Sequence, residues 1–204
     1  MKTILSILVF VLVHECATQE DDSPQCYIWA VDRGGLPPTQ NGGSNPNGTL
    51  LHALSRGGSQ INVSFTGNDT KDPTSVFYIV KRRPPSRQMT LAFGYHSGNS
   101  SYYLAVENAG QVKLDRLDGV PTDDKYFFVI KQMRCDVIGL FLTFKSVKTG
   151  KYLHCDGKDG RAFMKEGTTE YWQTWMKIRP KNGNSYSDFL DLENFDDTAK
   201  STSE

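Results

Sequence analysis

The stretch that decides the fold is Tyr103-Leu104-Ala105-Val106-Glu107-Asn108-Ala109-Gly110-Gln111-Val112-Lys113-Leu114, because the chain repeats it. Tyr152-Leu153, then Gly160, then Ala162-Phe163-Met164 restates the same order. Each copy then crosses a polar loop to a closing aromatic-aliphatic run, Phe127-Phe128-Val129-Ile130 in one and Trp172 with Trp175-Met176-Lys177-Ile178 in the other. A looser copy precedes both: Leu50-Leu51, Gly57-Gly58, Ile61-Val63-Phe65 and Phe77-Ile79. An internal repeat of this kind marks units that cannot bury their apolar faces alone and must close on one another.

Working outward, no window holds the i, i+3, i+4 apolar spacing of a helix. Short runs rich in Val, Ile, Phe, Tyr and Trp alternate with Gly/Pro/Asn/Asp/Ser clusters, which is the pattern of many short strands. The runs are Cys26–Val31, Thr49–Leu54, Gln60–Phe65, Val76–Val80, Met89–Tyr95, Tyr102–Val106, Gln111–Asp115, Phe127–Gln132, Phe141–Ser146, Tyr152–Asp156, Arg161–Lys165 and Trp172–Ile178. Twelve runs in three sets of four predict an all-β chain, a β-trefoil of twelve strands in three pseudo-repeats, in preference to a β-sandwich.

Met1-Lys2, the apolar run Ile4 to Val13 and the small residues Cys16, Ala17 and Thr18 have the order of a secretory leader. A spanning helix needs about 20 apolar residues, more than this run supplies. The expected layout is a signal peptide over 1–18, a domain over 19–178 and an acidic tail over 179–204. The tail carries Phe189-Leu190-Asp191-Leu192-Glu193-Asn194-Phe195, read either as solvated chain or as a short helix for a partner. The product is expected to be secreted, extracellular, monomeric and not inserted in a membrane. Four N-x-Ser/Thr sequons, at Asn47, Asn62, Asn68 and Asn99, suit an exported glycoprotein. Asn62 falls within an expected strand. Of the four cysteines, Cys16 belongs to the leader; Cys26, Cys135 and Cys155 allow one disulfide and a thiol, or three buried thiols.

The 23 basic and 23 acidic residues cancel, which argues against nucleic acid as a partner. No nucleophile elbow, no H-E-x-x-H and no phosphate loop is present, so no catalytic residue is assigned and no enzyme is expected. His154, Cys155 and Asp156 adjoin, but neighbours on a strand point to opposite faces; no metal and no cofactor is assigned. Gln173-Thr174-Trp175 matches the Q-x-W pattern of ricin-type lectins, yet it does not recur in each repeat, and a core tryptophan explains it equally. The one dense basic stretch, Lys81-Arg82-Arg83-Pro84-Pro85-Ser86-Arg87, is read as a solvated hairpin, as a contact for an acidic protein surface or sulfated glycans, or as a basic processing site.

Up to about Ile178 the chain resembles the interleukin-1 cytokine family. The likeness lies in Tyr27-Ile28-Trp29 with Val31, in Tyr103–Val106 and Val112–Asp115, in Asp124 to Lys131, and in Phe144-Lys145-Ser146 through Gly150-Lys151-Tyr152-Leu153. Fibroblast growth factors share the trefoil and are the nearest rival. The resemblance implies binding to an immunoglobulin-domain cytokine receptor ectodomain, as agonist or antagonist. It places receptor contacts at Trp29 and at Lys81, Arg82, Arg83 and Arg87 of the loop reaching to Gln88; Trp29 is read equally as core. The alternative is a trefoil that binds carbohydrate or heparin, and a secreted protease inhibitor of the same fold is a third reading.

Overall fold

Alternation puts every second side chain of a strand on one face, and Ile28, Ile79, Phe93, Ile130, Phe144 and Ile178 are buried apolar residues of six different runs. Those six runs are the strands that close on one another. In the computed structural model, residues 24–30, 50–55, 57–82, 89–135, 139–156, 159–167, 174 and 176–181 are described. Among them lie twelve strands: β1 (Gln25–Ala30), β2 (Leu50–Ala53), β3 (Gln60–Gly67), β4 (Phe77–Arg82), β5 (Thr90–Ser97), β6 (Ser100–Val106), β7 (Val112–Arg116), β8 (Phe128–Cys135), β9 (Gly139–Ser146), β10 (Tyr152–Cys155), β11 (Ala162–Lys165) and β12 (Met176–Pro180).

The first and fourth strands of each set form the barrel. Its ring is antiparallel throughout: Cys26↔Phe77 joins β1 to β4, Ile79↔Phe93 joins β4 to β5, and Thr90↔Val129 joins β5 to β8. Ile130↔Phe144 joins β8 to β9, Leu142↔Met176 joins β9 to β12, and Ile178↔Ile28 returns to β1. No barrel edge is left open, which removes the row of unpaired backbone groups that invites aggregation. The second and third strands of each set make the hairpins β2–β3, β6–β7 and β10–β11. A six-strand ring with three hairpins is a β-trefoil.

Inside the ring, Phe93 stacks on Phe144 at 5.1 Å between centroids, and Phe128 leans on both at 6.0 and 6.4 Å. Truncating any one of these three to Ala costs about 3–5 kcal/mol. Outside the barrel wall a second cluster gathers Tyr78, Tyr103, Tyr126 and Phe127 over Ala92 and Ala105. Here the structure refines the expected eighth strand. Phe127 does not begin it but closes a single 3-10 turn, Asp124–Tyr126, capped by the Asp123 side chain on the Lys125 amide. Phe128 enters the core while Phe127 packs on the outside. The twelfth strand is described over Met176–Pro180, and the Lys181 amide donates to the Gln25 carbonyl at 2.9 Å. The expected leader, residues 31–49, Trp172, Trp175 and residues 182–204 lie outside the described residues.

Candidate functional site

Three turns, one per repeat, meet on the pseudo-threefold axis, and each supplies one carbonyl to the next hairpin. Ser59 O accepts from Arg116 N at 2.9 Å, Gly110 O from Met164 N at 2.7 Å, and Gly160 O from Phe65 N at 2.6 Å. The ring of bonds closes on itself, so no hairpin is fixed without the other two. Gly110 (φ +82°) and Gly160 (φ +71°) sit in the left-handed region that glycine adopts without strain. A Cβ on Gly160 would lie 2.7 Å from Thr66 Cγ2, so the repeated glycine permits close approach as well as the turn.

Within this ring opens a cleft of about 660 Å³, walled by Asn62, Ser64, Gln111, Lys113, Arg161 and Phe163 among others. The residues come from β3, from the β6–β7 hairpin and from the β10–β11 hairpin, one portion per repeat. Phe163 is half-buried. Its ring lies between the Arg161 guanidinium, 5.3 Å from the ring centroid, and the His154 ring at 4.8 Å. Burial, then Lys165, pushes His154 below the ordinary histidine value, against an opposing pull from Asp156, so at neutral pH it is an uncharged support for Phe163.

The cationic wall is held from behind. Lys113 Nζ donates to Gln60 Oε1 at 2.8 Å and faces Glu107 at 3.5 Å. Gln60 Nε2 in turn donates to Asp115 Oδ1 at 3.0 Å, and the other oxygen of that buried carboxylate accepts from Lys125 Nζ at 2.7 Å. The hydrogen bond to Asp115 pushes the Lys125 pKa up, which holds the lysine in its charged form.

On the opposite wall a chain of donors has one possible polarity. Gly160 O can only accept, so Ser64 Oγ donates to it at 3.0 Å. Thr66 Oγ1 must then donate to Ser64 at 3.1 Å, and His52 Nε2 must carry the proton it gives to Thr66 at 2.8 Å. Burial lowers the His52 pKa, with Asp72 opposing. The Ser64 proton is thus committed to the Gly160 carbonyl, which fixes the hydroxyl in the cleft wall. Among the described residues no three His, Cys, Asp or Glu side chains are grouped to hold a metal ion.

Of the described residues marked from the sequence, Asn62 alone lines this cleft. Trp29 is buried, 6 % exposed, opposite Lys177 in β12 and Leu50 in β2; as folded it offers little surface to a receptor. Lys81 is exposed on β4. Arg82 is occupied within the fold: Nη2 meets Asp124 Oδ1 at 2.7 Å, Nη1 donates to Thr122 O at 3.2 Å, and the guanidinium covers Phe127 at 3.7 Å. It clamps the Asp124–Tyr126 turn to β4 and is not a cation held ready for a partner. Arg83, Arg87 and Asn47 lie outside the described residues, while Asn62, Asn68 and Asn99 are exposed. Asn62 is in β3, as expected, and its side chain faces the axial cleft. Cys26 and Cys155 are both buried thiols, so the two are not bridged to each other. Sequence reading passed over Gln111, Arg161 and Phe163 as site residues, although they flank the two repeated glycines.

Among solved structures the chain is similar to Polyporus squamosus lectin bound to a human-type influenza-binding epitope, at 13% identity and TM-score 0.52, covering 78% of this chain and 49% of that one. The chain thus spans about half the lectin's length. It is similar to the designed threefold-symmetric ThreeFoil at 12% identity and TM-score 0.52, covering 76% and 96%. It is also similar to the BEL β-trefoil at 11% identity and TM-score 0.53, covering 77% and 92%. Likeness at such identities establishes the fold: this is a β-trefoil protein. It establishes nothing narrower, and the interleukin-1 resemblance gains no support from these neighbours. No family model matches the chain, and no curated protein matches it.

Proposed function

We propose that this chain is an exported β-trefoil protein that binds carbohydrate and catalyses nothing, with the axial cleft as its glycan site. The observation that carries the reading is the make-up of that cleft. A half-buried aromatic ring, Phe163, lies among two amides, a hydroxyl and two cations drawn from all three repeats. A pyranose has one apolar C–H face and a rim of hydroxyls. The ring suits the face, and Asn62 and Gln111 each offer donors and an acceptor to adjacent hydroxyls. Use of the same fold by the Polyporus lectin is an analogy and raises the prior only. Export rests on the leader-like order of residues 1–18 and on exposed sequons at Asn68 and Asn99, away from the cleft.

The test is a glycan array followed by calorimetry on the strongest hit. Phe163→Ala and Gln111→Ala should each weaken that hit by tenfold or more, with the thermal midpoint nearly unchanged. A flat array, or a hit indifferent to both substitutions, would sink the proposal. The receptor-ligand reading makes the opposite demand. A cytokine receptor ectodomain would bind with an affinity that falls on Lys81→Glu and ignores the cleft. Secretion from animal cells, with a mass shift on glycosidase treatment, checks the export claim.

A further inference from the structure

A second cleft, of about 480 Å³, opens beside the β1–β4 pair and shares no residue with the axial one. One wall is aromatic. Tyr78 crosses directly over Gly94, where any Cβ would collide with its ring, and His96 stacks on it at 4.3 Å with planes 14° apart. Tyr103 presses edge-on against the other side of Tyr78 at 5.8 Å, so the stack is braced from within the outer cluster. His96 is the outer, exposed layer. Tyr27 faces the same cleft with its hydroxyl tied to Thr70 O at 2.9 Å, and burial followed by Asp69 pushes its pKa up, keeping the phenol neutral.

The rim carries the charge. Lys71 and Lys181 line the cleft, both exposed, and among the described residues neither has an acidic partner. Lys181 Nζ donates only to the neutral Gln25 amide oxygen, at 2.9 Å. Two carboxylates of the adjoining turn are engaged with backbone amides: Asp69 accepts from Lys71 N at 2.8 Å and Asp72 from Thr74 N at 2.9 Å. The cleft therefore combines a preformed flat aromatic face with two cations on its rim, and among the described residues no carboxylate lines it.

We infer that this cleft is a second binding site, separate from the axial one, for a pyranose bearing a sulfate or a carboxylate. The aromatic stack takes the C–H face of the ring, and Lys71 and Lys181 take the anion. This moves the recognition of acidic sugars away from the 81–87 stretch, whose Arg82 is already engaged with Asp124. It does not rest on the axial cleft being a glycan site.

The experiment titrates the full chain with three disaccharides: one 6-O-sulfated on N-acetylglucosamine, one containing glucuronic acid, and neutral lactose. Backbone and ring resonances report where each binds. The sulfated sugar, the uronate sugar or both should perturb Tyr27, Tyr78 and His96 with an affinity that falls as salt rises. Lys71→Gln with Lys181→Gln should weaken that binding roughly three- to thirty-fold, the range for two exposed ion contacts. Both lysines are on the surface, so the fold should survive, as circular dichroism would show. His96→Ala should weaken it too, whereas Phe163→Ala should leave it unchanged. Which sugar responds identifies the anion. The inference is overturned if neither acidic sugar outbinds lactose at these residues, or if the double lysine variant binds as tightly as the parent.

Discussion

Replacing Gly160 by Ala tests whether the three hairpins are locked by close approach at the axis. The residue sits at φ +71°, a conformation that costs an L side chain about 1–2 kcal/mol. Its new Cβ would stand 2.7 Å from Thr66 Cγ2 and 2.9 Å from Phe65 O. Relieving that contact means moving β3, whose Phe65 amide and Ser64 hydroxyl both bond to Gly160 O at 2.6 and 3.0 Å. Overpacking of this sort adds about 1–3 kcal/mol. Reduced freedom of the unfolded chain returns about 0.4–1 kcal/mol. The net loss should be about 2–4 kcal/mol. The control is Gly98→Ala in the β5–β6 turn, where φ is +58° and nothing lies within 4 Å of the added atom. It carries the backbone penalty alone and should lose about 1 kcal/mol. Urea unfolding of both variants and the parent, with m-values compared, gives the difference directly. At roughly 2–4 °C per kcal/mol for a chain of this size, Gly160→Ala should also melt well below Gly98→Ala. If the two variants are equally stable within about 0.5 kcal/mol, the axis is not held by contact at Gly160 and the argument for a rigid axial cleft fails with it.

Arg82→Gln should lower stability by about 1–2 kcal/mol through the lost Asp124 pair and the lost cover over Phe127. Asp124→Asn should be non-additive with it in a double-mutant cycle, and full additivity would deny the clamp. Stability should decline as pH falls below about 6.5, the ordinary histidine value. His52 and His154 both have depressed values in the fold, so the unfolded chain takes up protons first and the native advantage present above 6.5 is lost through the lower folded values. His52→Gln keeps a donor for Thr66 and should flatten part of that slope in unfolding curves at pH 7 and pH 5. Cys26 is wholly buried and its thiol pKa is pushed up by burial, so maleimide should label it only after global unfolding. Labelling at Cys26 itself, located by peptide mass mapping, faster than unfolding would contradict its place in the core.

The fold was legible because its information is periodic. Alternation along each strand, turn residues between strands and a threefold recurrence of Gly110-type turns all specify the same closure, and each residue contributes to it locally. Even the error at Phe127 is local: the strand expected to include it begins one residue later. The Phe127 error has a physical cause, since Phe127 and Phe128 are equally apolar and only the Asp123 cap decides that the strand starts after the turn.

The candidate site was hardly legible, for the converse reason. Its members, Asn62, Gln111, Lys113, Arg161 and Phe163, come from three separate stretches of chain; Asn62 is marked in the sequence only as a sequon, and the other four belong to no motif of their own. They meet only because Ser59, Gly110 and Gly160 hand carbonyls around the axis. A dense cluster such as Lys81 to Arg87 draws attention in a sequence because charge is visible one residue at a time, yet the fold spends Arg82 on Asp124 forty-two positions away. Trp29 illustrates the same asymmetry. A tryptophan in an opening strand reads equally as anchor or core, and the pairing of β1 with both β12 and β2 buries it. In a threefold architecture, then, the place to look for a site is where the repeats converge. The residues to suspect are those flanking the repeated glycines, because they are held at the axis in every repeat whatever their own chemistry. Gln111 and Arg161 occupy equivalent places after Gly110 and Gly160, and each makes an isolated bridge to the hairpin of another repeat, to Phe163 and Ser64 respectively. The backbone at these positions is fixed by the fold, which leaves the side chains as the part of the axis that is free to specify a ligand.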